Sequence, residues 1–159
     1  MRRYPLGVVP VGALAAAVVV IAVCSASVIA QKNPYRNYNQ EKFVDNMQTA
    51  GRNYTAVTEF IAKNDYESAK AQLTRAREQL AITMQFWRDK NKSDAVAMLR
   101  EALNSMDNLD VALSAEKIDP AALTAASQRV GRACGACHAV YREQDPATKA
   151  YRIKPGSVQ

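Results

Sequence analysis

From Glu41 onward, apolar residues return every three or four positions, and that rhythm divides the chain into four helical segments. The first stripe is Phe43, Met47, Ala50, Tyr54, Val57 and Ile61; Asn64 and Asp65 end it, and can cap the next helix. The second runs Tyr66, Ala69, Leu73, Ala76, Leu80, Met84 and Trp87, until the polar stretch from Asp89 to Lys92 breaks it. Ser93 is the expected N-cap of a third helix, with Asp94 at the positive end of its dipole. Its stripe is Val96, Leu99, Leu103, Met106, Leu109 or Asp110, and Leu113. Asp119-Pro120 is the clearest helix start in the chain, a cap followed by proline at the first helical position. The fourth stripe is Leu123, Ala126, Val130, Ala133 or Cys134, Cys137 and Tyr141, with Pro146 as its stop. Four such helices with short connections predict an all-α domain over residues 41–145, an antiparallel up-down-up-down four-helix bundle.

The flanks read differently. Residues 1–30 have a positive start (Arg2, Arg3), an apolar run from Ala13 to Val23 and a small-residue site, Val28-Ile29-Ala30, before Gln31. These are the parts of a cleaved signal peptide. Uncleaved, the uncharged stretch from Tyr4 to Ala30 is long enough to anchor the chain in a bilayer. Either way the domain is exported, and the periplasm is the expected compartment. Residues 31–40 read as a polar linker, and residues 146–159, with Pro155 and Gly156, as a loosely held tail.

Charge narrows the partners only slightly. The formal charge is +6, falling to +4 once Arg2 and Arg3 are removed with the leader. Basic residues such as Arg75, Arg77, Arg88, Lys90 and Lys92 are scattered along helices and not massed with aromatics. That pattern argues against nucleic-acid binding. A solvated surface is the default reading, and an acidic redox partner, in the periplasm or at the membrane, is the functional one that suits it better.

The chemistry is concentrated in Cys134-Gly135-Ala136-Cys137-His138. Cys-x-x-Cys-His is the attachment signature of a c-type haem. On a helix, spacings of three and four put both thiols and the imidazole on one face. The thiols can then form thioethers to the vinyl groups, and His138 can bind iron from the proximal side. A thioredoxin-like dithiol needs a βαβ setting that nothing here provides. Zinc needs four ligands, and beyond the leader only two cysteines and one histidine exist. A plain disulfide would leave the adjoining histidine a coincidence. One covalent haem c, with its iron, is the expected cofactor.

A four-helix bundle with this motif on its last helix resembles the cytochrome c prime family, the class II c-type cytochromes. The resemblance covers most of residues 40–145, and includes the aromatic-basic pair Tyr141-Arg142 after the histidine. It implies that Trp87, Tyr141 and Arg142 surround the haem, and that copies pair helix to helix as homodimers. Arg142, one helical turn past His138, either lies near the iron and raises its potential or snorkels over Tyr141 into solvent.

The sixth iron position decides the mechanism. His138 is the only histidine in the chain, so bis-histidine ligation within one chain is excluded. Candidate sulfurs are Met47, Met84, Met98 and Met106; Met98 is off its stripe. By resemblance, methionine-ligated members of the family use helix one, as in Met47 followed by Gly51, where a missing side chain leaves room for a flat macrocycle. Where the family often has a basic residue four before that position, this chain has Phe43. With Met47 bound, the expected function is a non-enzymatic electron carrier with His/Met-ligated iron. With Met47 only nearby, an open face lined by Phe43, Met47 and Tyr54 would admit gases such as NO or CO. Peroxidase-like catalysis has neither a distal histidine nor an acid-base pair to support it.

Overall fold

A computed structural model describes residues 38–158 of the chain. The expected leader, and the linker up to residue 37, lie outside the described residues. Five helices follow in order: α1 (Gln40–Ala62), α2 (Tyr66–Ile82), the short α3 (Met84–Asp89), α4 (Ser93–Leu113) and α5 (Pro120–Tyr141). Two short strands close the described part, β1 (Arg142–Gln144) and β2 (Tyr151–Ile153).

Local chemistry sets most of these boundaries. Asn39 starts α1, its side chain accepting from the Lys42 N–H at 3.0 Å. Asn64 sits in the left-handed region (φ 59°), a conformation asparagine tolerates, and turns the chain after α1. Asp65 then caps α2 through the Ser68 N–H at 3.1 Å. Asp119 accepts from the Ala121 N–H at 2.9 Å, with Pro120 in the first turn, as the sequence predicts. At α4 the expectation is off by one. Ser93 is already helical, and the preceding Lys92 supplies no side-chain cap.

The predicted second helix is two helices. Thr83 is fully buried, and its Oγ1 donates to the Leu80 carbonyl at 2.6 Å. Its N–H goes to the same oxygen at 3.1 Å, and Phe86 N–H reaches the Thr83 carbonyl, also at 3.1 Å. These i→i+3 bonds tighten the turn and interrupt the α ladder. Beyond the break, Phe86 and Trp87 are both turned into the core.

Helix α1 packs on α2, α2 on α4, α3 on α4, and α4 on α5. The core they enclose includes Val57, Leu73, Leu109, Leu123 and Val130, all essentially inaccessible to solvent. Side chains of that size each contribute roughly 1.5–3 kcal/mol by burial. Helices α1 and α5 approach each other much less closely. Tyr54 links them, its hydroxyl donating to the Ser127 carbonyl at 2.8 Å.

The chain beyond α5 differs from the expected tail. Helix α5 ends at Tyr141, before Pro146, because Arg142 is extended (φ −115°, ψ 139°). Strands β1 and β2 pair antiparallel, Arg142 opposite Ile153, Glu143 opposite Arg152 and Gln144 opposite Tyr151. Asp145 organises the connection, accepting from the Ala147 and Thr148 N–H groups at 2.9 Å each. Ile153 is buried in the main core and holds the hairpin against the helices. Three-residue strands are too short to register as an alternating pattern, which is why the sequence reads as a tail here.

Candidate functional site

Where α1 and α5 stand apart, a cavity of about 500 Å³ opens between them, walled on a further side by the hairpin. Its size is within the range of small-molecule and cofactor sites. Helix α1 contributes Phe43, Met47, Gly51 and Arg52; α3 contributes Trp87; α5 contributes Cys137, His138 and Tyr141. Val44, Gln48, Arg142 and residues 149–153 complete the lining.

On α5, Cys137 lies on the core side and His138 is half-buried, and both line the cavity. Cys134 is half-buried against the core one turn earlier and does not line it. The motif is therefore split, two residues inside and one behind. Among the described residues neither thiol is in a disulfide. Burial pushes the Cys137 thiol up to about 11 and raises that of Cys134 as well. A reactive redox dithiol needs the opposite shift. Burial, with the neighbouring Arg142 charge, pulls the His138 imidazole down to about 4. The ring is thus neutral at pH 7, with a nitrogen lone pair free for a metal.

Among the described residues, no three His, Cys, Asp or Glu side chains converge on a point where a metal ion could sit. A zinc site requires such convergence. A covalent macrocycle does not, since the imidazole alone meets the metal while the sulfurs reach its edge. Cys137 and His138 fit the second demand and not the first, with Cys134 one turn behind the wall.

Met47, half-buried on α1, lines the same cavity as His138. Met106 is buried in the core, and neither it nor Met84 nor Met98 lines the cavity. Gly51, one turn after Met47, is also at the wall, and a Cβ there would meet nothing within 4 Å. Tyr54 is not part of this face; its hydroxyl is engaged by Ser127 on α5.

An aromatic group floors the cavity. Trp87 is 1% exposed and meets the Phe43 and Phe86 rings edge-on, at centroid distances of 5.1 and 5.2 Å. Tyr141 tilts against it at 4.6 Å, and Phe43 stacks on Phe86 at 4.4 Å. Trp87 Nε1 is enclosed, with no hydrogen-bond partner among the described residues. Tyr141 donates its hydroxyl to Asp94 Oδ2 at 2.5 Å.

Arg142 lines the cavity with His138, but it departs from the reading that laid it over Tyr141. Because the helix ends before it, its guanidinium lies 4.2 Å from the ring centroid of Tyr151, not over Tyr141. The hairpin wall and Arg52 are what sequence reasoning missed. The available signals were the Asp145-Pro146 turn and the β-prone Tyr151-Arg152-Ile153. No protein-family model, curated protein or solved structure matches the chain.

Proposed function

We propose that this chain is an exported monohaem c-type cytochrome of the cytochrome c prime kind. It carries single electrons in the periplasm through iron held by His138 and Met47. The observation that carries this reading is that His138 on α5 and Met47 on α1 line one cavity beside Cys137. In this reading the four long helices run up-down-up-down, with the cavity at the splayed α1–α5 pair.

Cys137 at the cavity wall and Cys134 one turn behind it would hold the cofactor as thioethers, formed in a maturation step. The bound haem supplies a one-electron iron couple. The chain's own residues do the rest. Burial keeps the His138 imidazole neutral, the form that ligates a metal. Met47 offers a soft thioether from the facing helix, the second ligand type that raises a haem potential. Phe43, Trp87 and Tyr141 exclude water from the floor of the cavity. Two ligands on separate, well-packed helices keep their positions as charge changes, which suits rapid electron exchange.

The deciding experiment is an absorption spectrum of the reduced, matured protein with and without CO. Sharp low-spin bands that CO does not move support ligation by Met47. A broad high-spin spectrum that shifts with CO replaces this reading with a gas-binding one. A colourless protein of apoprotein mass, made alongside working haem maturation, ends both.

A further inference from the structure

The mouth of the cavity is one-signed. Besides His138, its lining includes the cations Arg52, Arg142, Lys149 and Arg152, and no carboxylate. Both acids of β1 and the turn, Glu143 and Asp145, are taken by Arg152, at 2.7 and 2.5 Å. Arg52, Arg142 and Lys149 make no ion pair among the described residues. Arg52 donates only to Thr49 Oγ1, at 2.8 Å. Lys149 is held by its backbone, in the left-handed region (φ 61°) with its N–H on the Asp145 carbonyl at 2.9 Å.

Beside these charges stands one of the few large apolar side chains exposed among the described residues. Tyr151 is 54% exposed, and its ring carries the Arg142 guanidinium. Stacking fixes the cation without neutralising it. Exposed tyrosine and arginine are the residue types that anchor protein interfaces.

We infer that this rim, built from Arg52, Arg142, Lys149 and Tyr151, is the docking surface for a redox protein with an acidic patch. The inference rests on the haem reading above and adds where the electron crosses. Charge of one sign around a mouth with apolar walls focuses the field outward. It speeds the encounter with an anionic partner, and salt weakens the effect.

The test is stopped-flow oxidation of the reduced haem protein by two probes, anionic hexacyanoferrate(III) and cationic tris(phenanthroline)cobalt(III), at low and high salt. Wild type is compared with the double variant Arg52→Gln, Lys149→Asn; asparagine keeps the left-handed backbone tolerable. At low salt the variant should slow oxidation by hexacyanoferrate about three- to tenfold, with the cobalt complex moving the other way. The midpoint potential is measured for both proteins, so that the rates are compared at equal driving force. An unchanged ratio of the two rates overturns the docking surface. So does a shifted potential with the ratio intact, because the cations then serve the cofactor's own carboxylates. The mass of the purified protein is measured first. Bare apoprotein removes the haem reading and this one together, whereas haem-loaded protein with an unaltered rate ratio removes this one alone.

Discussion

The hydroxyl of Tyr141 donates to the Asp94 carboxylate over 2.5 Å, joining the last residue of α5 to the first turn of α4. The bond sits at the end of α5 that carries Cys137 and His138, and Tyr141 also lines the cavity. Packing and hydrogen bonding thus meet at one residue.

That contact has a signature in alkali. Burial, then the bond to Asp94, raises the Tyr141 phenol to about 12 from an ordinary 10.0. Between those values the unfolded chain has lost a proton the folded chain keeps. Stability is therefore complete below pH 10 and falls as pH climbs toward 12. Tyr141→Phe should flatten part of this fall in urea midpoints followed by circular dichroism. A remainder should persist from Tyr38, also raised to about 12. On the acid side, the same bond holds Asp94 below the usual 3.8, so its contribution is present above that pH and disappears below it. Asp94→Asn should remove that acid-side component.

Met47→Ala should turn a low-spin, CO-insensitive spectrum into a high-spin one that CO shifts. The same substitution at Met106, which is in the core and off the cavity, should leave the spectrum unchanged. It should instead cost about 2–5 kcal/mol in stability. Equal spectral effects from the two variants would count against Met47.

Gly51 offers a converse test. A Cβ there meets nothing within 4 Å. Gly51→Ala should stabilise the helix by about 0.5–1 kcal/mol, read from the unfolding midpoint. Gly51→Leu, on the same wall as Met47, should perturb the haem spectrum more than the alanine variant does.

Trp87 carries two opposed contributions. Its ring fills the cavity floor, while its enclosed Nε1 has no partner among the described residues. Trp87→Ala should cost about 3–5 kcal/mol. Trp87→Phe, which removes the unpartnered N–H and keeps a ring, should cost distinctly less by the same denaturation measurement.

The hairpin is secured by Ile153. Ile153→Ala should cost about 2 kcal/mol in unfolding experiments. It should also hasten proteolytic cleavage between residues 142 and 153.

How much of this was legible depends on length. Long periodic stripes located the four main helices, and Asp65 and Asp119-Pro120 marked two starts correctly. Thr83 hid the break in the second helix, because a buried hydroxyl bonding its own backbone looks like any polar residue on a helix. Cys137, His138 and Met47 could be singled out by type and spacing; their shared cavity could not. That depends on how far α1 and α5 splay, a property of the packing of all four long helices. The backbone at Arg142 and the hairpin were misread for a local reason. A helix was extended to its nearest proline, while the backbone had already turned at Arg142.

Residues 149–153 come last in chain order among the groups that line the cavity. Until those residues arrive and Ile153 seats, one side of the cavity has no wall, and a bulky guest could enter there. Afterwards the Arg152 ion pairs and the buried isoleucine bar that route. Loading would then have a place in time as well as in space: it is easiest early, on a chain whose doorway has not yet been hung.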